Sequence, residues 1–255
     1  MNDRSNRRTI QSDEVLFDII ERMEREGQVG VSELAESVDR SKSTVHTHLT
    51  SLENRGYVVN TDGRYRLGLR FFDLGVHVRN NIDLYHVASP KLVELANESE
   101  ENARCIVEEN GLGTFIAGAM GSHSVNTDAR IGTQTNLHCI SGGKAILASL
   151  SERRVREIVD RHGLPKRTEN TITDIDTLLD ELATIREEGY ALNRSESING
   201  IHAVAVPIHD ADGGVVGAIS ISGAANRLPV DRCRTEILDL INAAANEIEL
   251  NLTYA

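Results

Sequence analysis

Residues 32–68 constrain this chain more than any other stretch, because they read as two short helices followed by a tight hairpin. In Val31-Ser32-Glu33-Leu34-Ala35-Glu36-Ser37-Val38, Ser32 can accept hydrogen bonds from the free amides of a helix start, and Leu34, Ala35 and Val38 fall on one face. A turn is expected at Asp39-Arg40. Ser41 then suits the cap of a second helix, with Val45, Leu49 and Leu52 at helical spacing and an end at Gly56, which enters the left-handed conformation freely. Its outer face is Lys42, Ser43, Thr44, His46, Thr47, His48 and Thr50, side chains that can donate to phosphate oxygens and base edges. Tyr57-Val58-Val59-Asn60 and Arg64-Tyr65-Arg66-Leu67 flank Thr61-Asp62-Gly63, and Asp-Gly between alternating runs is a strong hairpin signal. Arg64 and Arg66 leave the same side of their strand. Two helices and a hairpin in this order define a winged helix-turn-helix, whose second helix suits the major groove of DNA.

Such a module can also bind protein, and an arginine on a hairpin can be a plain solvated charge. The distribution of charge favours nucleic acid. The chain carries a formal net charge of -12, yet residues 40–70 hold Arg40, Lys42, Arg55, Arg64, Arg66 and Arg70 against Glu53 and Asp62. A basic segment inside an acidic protein, coinciding with the recognition helix and the wing, is the electrostatic footprint of a DNA-binding surface.

At 255 residues and 40% hydrophobic, the chain is long enough for two domains. No run approaches the roughly 20 apolar residues of a membrane helix, and residues 1–8 are polar and arginine-rich, so a cytoplasmic protein with no membrane partner is expected. Cys105, Cys139 and Cys233 are too few and scattered for a disulfide framework. Among 27 basic residues only Lys42, Lys91, Lys144 and Lys166 are lysines. Scarce lysine beside 39 acidic residues suits a high-salt cytoplasm, although a GC-rich genome, which favours arginine codons, produces the same bias. Salt weakens phosphate binding through counterion release, so a halophilic DNA reader would lean on base contacts and dimer avidity.

Residues 12–26 form an amphipathic helix with Val15, Leu16, Ile19, Ile20 and Met23 inward, completing a three-helix core. Residues 69–78, with Leu69, Phe72, Leu74 and Val76, read as a connecting helix; two wings on one duplex need two copies, which makes this helix a dimer contact. The expected domains are a DNA-binding domain over 1–68, a linker helix over 69–84 and an effector-binding domain over 85–255. In the last, Ser89-Pro90 is expected to open a helix with Leu92, Val93, Leu95 and Ala96 inward. Strands near 104–109 and 114–119, a long polar loop over 121–137 with room for short strands, helices over 141–150 and 152–161, a third capped by Asp174 and running through Glu188, and strands over 190–193, 201–208 and 215–222 follow. Residues 231–252 close the chain as a long helix. The fold class is α+β, with an antiparallel sheet flanked by helices as the economical architecture.

Chemistry-bearing motifs are few. In Ala218-Ile219-Ser220-Ile221-Ser222, alternation puts Ala218, Ser220 and Ser222 on one face, small and hydroxylic, with room for a ligand or with hydroxyls spent on neighbouring backbone. Gly142-Gly143-Lys144 stands at a helix start, where free amides favour a carboxylate; Lys144 can add charge or point to solvent. A phosphate loop fails, since position 138 is His138 rather than glycine and Ala145 replaces the hydroxyl that magnesium requires. No nucleophile elbow or catalytically spaced carboxylate pair occurs, so an enzyme is not expected. His138-Cys139, with His123, Cys105 and His202 elsewhere, lacks metal-ligand spacing; neither metal nor cofactor is expected.

Seven blocks in order carry a resemblance to the IclR-type transcriptional regulators across nearly the whole chain. They are Ser32-Glu33-Leu34-Ala35, Lys42-Ser43-Thr44-Val45, Leu52-Glu53-Asn54-Arg55-Gly56-Tyr57-Val58, Tyr65-Arg66-Leu67-Gly68-Leu69, Gly142-Gly143-Lys144-Ala145-Ile146-Leu147-Ala148, Ile185-Arg186-Glu187-Glu188-Gly189-Tyr190-Ala191 and Ala218-Ile219-Ser220-Ile221-Ser222-Gly223. The resemblance implies a winged helix, a GAF-like effector domain, and homodimers or tetramers on palindromic operators in double-stranded DNA. It implies effector contacts at Gly142, Gly143, Asn193, Ala203, Ser220 and Ser222, with Asn193 and Ala203 standing where acid-binding members often carry aspartate and cysteine. Lys42, Ser43, Thr44, His46, Thr47 and His48 are then the groove-facing set, Arg40 is a further DNA contact, and Arg64 and Arg66 hold the flanking backbone or the minor groove. The effector expected from the uncharged Asn193, Ser220 and Ser222 is a sugar or sugar-acid intermediate. A ligand-independent architectural protein and an enzyme domain tethered to DNA are the alternatives.

Overall fold

The computed structural model describes residues 9–125 and 129–254; the arginine-rich start and residues 126–128 of the polar loop lie outside the described residues. Two compact units divide the chain, Met1–Val78 and Arg79–Ala255.

In the first unit, α1 (Gln11–Glu26) buries Val15, Ile19 and Met23, β1 (Val29–Gly30) follows, and α2 (Val31–Ser37) buries Leu34 and Ala35. Ser32 does not cap α2. The helix begins one residue earlier, at Val31, and its side chain at the third position closes the start instead: Gly30 N donates to Glu33 Oε2 at 3.0 Å. Asp39 makes the expected turn at φ 52°. Ser41 caps α3 (Lys42–Asn54), its hydroxyl accepting from Thr44 N at 3.2 Å, and Val45, Leu49 and Leu52 are buried. The hairpin of β2 (Val58–Thr61) and β3 (Arg64–Leu67) turns on Asp62 at φ 52° and Gly63 at φ 82°, the two left-handed residues of a type I′ turn. β1 pairs with β3 as well, giving a three-stranded sheet in the order β1-β3-β2. Two residues are too short to register as a strand in the sequence.

α4 (Arg70–Asn80) buries none of its residues. The next helix, α5 (Asp83–Ser99), begins well before Ser89-Pro90 and carries Pro90 in its interior. Leu84, Ala88, Leu92, Leu95 and Ala96 form a continuous buried stripe that spans the proline, while Pro90 and Val93 sit on the exposed face. Packing of that stripe outweighs the hydrogen bond that proline forfeits, and Val93 points outward rather than inward.

The second unit is built on a six-stranded antiparallel sheet in the order β6-β5-β4-β9-β8-β7, with β4 (Asn102–Glu109), β5 (Leu112–Met120), β6 (Gln134–Asn136), β7 (Ala191–Arg194), β8 (Ile201–His209) and β9 (Val215–Ala224). Before β7 come α6 (Ser141–Ser149), α7 (Glu152–His162) and α8 (Ile175–Glu188), the last capped by Asp174, which accepts from Thr177 N at 2.9 Å. The chain closes with α9 (Val230–Arg232), a π segment (Cys233–Ile237) and α10 (Leu238–Thr253). Strand alternation separates two cores. Cys105, Val204, Val206, Ile219 and Ile221 pack with α5 and α10, whereas Ile106, Ala205 and Ala218 pack with α6 and α8.

Candidate functional site

Two surfaces carry the chemistry. On α3, the side chains opposite the buried Val45 and Leu49 are exposed: Lys42, Ser43, Thr44, His46, Thr47 and Thr50. Several hydroxyls are already oriented by the helix, Thr47 Oγ1 donating to Ser43 O at 2.9 Å and Thr50 Oγ1 to His46 O at 2.9 Å, while Ser41 Oγ lies 2.9 Å from Ser43 Oγ. These hydroxyls keep acceptor capacity toward a base edge, and Lys42 and His46 carry the extendable donors. His48 is half-buried at the flank of this face. Arg40 is exposed beside the helix start, one Nη donating to Asp39 O.

The two wing arginines differ. Arg64 reaches back into its own unit, donating to Gln28 O at 2.7 Å and lying 3.3 Å from Glu33 Oε1. It joins β3 to the start of α2, and the same Glu33 carboxylate caps that start. The Gly30 amide first, and Arg64 after it, hold Glu33 below its ordinary pKa. Arg66 makes one bond, to its neighbour Leu67 O at 3.2 Å, and stays exposed. Arg66 is therefore the wing's available cation.

In the second unit, a cavity of about 380 Å³ opens on the α6 side of the sheet, where α6 no longer covers it. Ala218 lies under α6; farther along β9, Ser220 and Ser222 line the cavity with Ala203, Ile201, Asn193 and Gly142. Register explains the grouping, since Ala203 stands opposite both Ser222 and Asn193. Neither the Ser220 nor the Ser222 hydroxyl has a hydrogen-bond partner among the described residues, so they are not spent on backbone. Asn193 is braced, donating to Cys139 O at 2.6 Å and accepting from Glu196 N at 3.1 Å, with one donor and one acceptor position left.

Gly143 does not line the cavity. A Cβ there would lie 2.2 Å from Leu137 O, so this glycine lets α6 press against the preceding turn. Lys144 points neither to solvent nor to the cavity: it is fully buried and paired with Glu181 at 2.9 Å and Glu196 at 2.7 Å. Glu196 also accepts from Arg194 N, which fastens the loop bearing Ser197 and Ile198, two cavity residues, to α6.

Arg104 and Arg167 line the cavity and escaped the sequence reading. Arg104 could have been found from the predicted strand, because it pairs with Ser220 once β4 and β9 are neighbours. Arg167 had no such signal, lying in the irregular segment between α7 and α8. The three thiols are buried and free, with Cys105 pushed up to about 12 by burial, and among the described residues no group of three or more ligating side chains could hold a metal.

A helix poised for a DNA groove, in one chain with a sheet domain whose cavity sets hydroxyls and arginines among apolar side chains such as Ile106, Phe115 and Ile140, defines a ligand-binding transcription factor. Residues 14–62 match the IclR helix-turn-helix domain and residues 76–250 the bacterial transcriptional regulator IclR C-terminal domain. The chain belongs to the IclR family of transcriptional regulators, and not to an enzyme family. It is 31% identical to a protein of Halobacterium salinarum named "Probable HTH-type transcriptional regulator ArcR", over 93% of this chain and 92% of that one. It is 29% identical to the HTH-type transcriptional regulator KdgR of Escherichia coli, covering 94% and 91%. The crystal structure of the Thermotoga maritima IclR superposes with a TM-score of 0.78 at 32% identity, over 96% of this chain and 98% of that one. Among the described residues, no helix is long and apolar enough to cross a membrane.

Proposed function

We propose that this regulator controls a catabolic gene set in the cytoplasm, as repressor, activator or both, and that a small polar acid bound in the second unit changes its hold on the operator. The observation that carries this reading is the cavity itself: among the described residues it has free hydroxyls on Ser220 and Ser222, arginines at two positions and no lining carboxylate. Those groups favour an oxygen-rich anion over a neutral sugar. An architectural DNA protein needs no such cavity.

Lys42, Ser43, Thr44, His46, Thr47 and, at the flank of that face, His48 read bases or phosphates in the major groove, with Arg40 and Arg66 on the flanking backbone; Arg64 serves mainly to hold the module together. A homodimer, or a tetramer built from it, on a palindromic site follows from the apolar residues that α4 leaves exposed, Leu69, Phe72 and Val78 around it. The effector acts by binding two arrangements of the dimer unequally, which is the requirement for any population shift.

Genome-wide occupancy and transcript levels on different carbon sources test the proposal. A few palindromic sites beside one catabolic gene set, responding to one substrate, are the expected result. Diffuse occupancy without a carbon-source response would overturn it in favour of an architectural role.

A further inference from the structure

Among the described residues, the charge lining the cavity is unbalanced: Arg104 on β4 and Arg167 between α7 and α8 are the two charged ones, and neither has an ion-pair partner there. Arg104 is anchored but not neutralised. One Nη donates to Ala103 O and Ala119 O, both at 3.1 Å, while Nε is buried without any hydrogen-bond partner. Its stem lies across β5 where a side chain is missing: a Cβ on Gly118 would stand 2.6 Å from Arg104 Cδ. Burial lowers the Arg104 pKa, and no acidic neighbour among the described residues opposes it. Its strand partner across the ladder is Ser220, whose hydroxyl is free. Arg167 stands exposed at the other side chain position, its guanidinium without a hydrogen bond among the described residues.

A half-buried cation without a counter-charge is costly, and a second cation lining the same cavity raises the cost. One carboxylate compensates one of them. Resting on the reading of this cavity as the effector site, we propose that Arg104 and Arg167 are separate anion-binding positions, and that the effector is a dianion: a short hydroxylated dicarboxylate. One acid group meets Arg104 and the Ser220 hydroxyl, the other meets Arg167, and the chain between them lies along Ala203, Ser222 and Gly142.

Calorimetric titration of the full-length protein with two matched trios tests this. Galactarate, galactonate and galactitol share one six-carbon chain with two, one and no carboxylates; tartrate, threonate and threitol do the same with four carbons. In at least one trio the diacid is expected to bind on the order of tenfold tighter than its monoacid, the scale of one added charge-assisted pair, with the polyol weakest. Arg167→Gln, a surface change, should reduce the diacid to the affinity of the monoacid. Arg104→Gln should do likewise, and Arg104→Lys, which keeps the charge, should recover part of the loss if the first variant acts through charge rather than folding. Equal affinity for diacid and monoacid, indifference to Arg167→Gln, or no binding by either diacid would overturn the dianion. The effector site itself fails by a different result: Ala203→Phe, which fills the cavity, leaving the carbon-source response of operator occupancy intact.

Discussion

Arg64 and Arg66 share a strand face yet differ in their engagement, and substitution should separate them. Arg66→Ala is expected to weaken binding to all DNA sequences, lowering the slope of log affinity against log salt by about one while leaving the melting temperature unchanged. Arg64→Ala should lower the melting temperature as well, because it releases Gln28 O and Glu33 together. The Glu33 link also has a pH signature. Its folded pKa is depressed, so its contribution is present above the ordinary carboxylate value of 4.5 and is lost as pH falls through the lower folded value. Thermal melts of the native protein and Glu33→Gln should therefore differ at neutral pH and converge in acid. Lys144 makes the sharpest test at this scale. Lys144→Met leaves Glu196 buried and unpaired, with an expected loss of about 3 to 5 kcal/mol in denaturant unfolding, whereas Glu181→Gln, at a partly exposed partner, should cost much less. The fate of this lysine was not legible in the sequence: its partners lie 37 and 52 residues away, and Gly-Gly-Lys at a helix start suits solvent, ligand or core equally. The serines were legible, since alternation along β9 alone puts Ser220 and Ser222 together.

Elements whose signals are local were the readable ones. The Ser41 cap, the Asp174 cap and the Asp62-Gly63 turn each depend on residues within three or four positions, and each appears in the structure where local chemistry places it. Gly63→Ala should cost about 1 kcal/mol in unfolding experiments, the penalty of a left-handed position. Elements decided by distant packing were read less well. α5 runs through Pro90 because its buried stripe lies against the sheet, and Glu33 rather than Ser32 closes the start of α2 because Arg64, 31 residues on, helps to hold that carboxylate. Gly143 belongs to the same class. Its sequence context suggested a ligand contact, but its close approach to Leu137 O makes it a packing glycine, so Gly143→Ala should destabilise the second unit, whereas Gly142→Ala should act first on ligand affinity by pushing on Ile106.

For the molecule as a whole, the expected boundaries at residues 68 and 84 framed a linker; in the structure the chain divides after Val78, within α4, and α5 begins at Asp83. The apolar residues along α4 make a prediction about assembly: Phe72→Glu should shift sedimentation toward a single chain and abolish the preference for paired half-sites over one half-site. A last consequence concerns solubility at the concentrations a crowded cell imposes. The inner strands of the six-stranded sheet run eight to ten residues, while the strands at its two ends, β6 and β7, have three and four. A second chain that tried to extend the ladder from β6 or β7 would find only three or four residues to pair with, which makes each of these end strands a short template for fibrous growth.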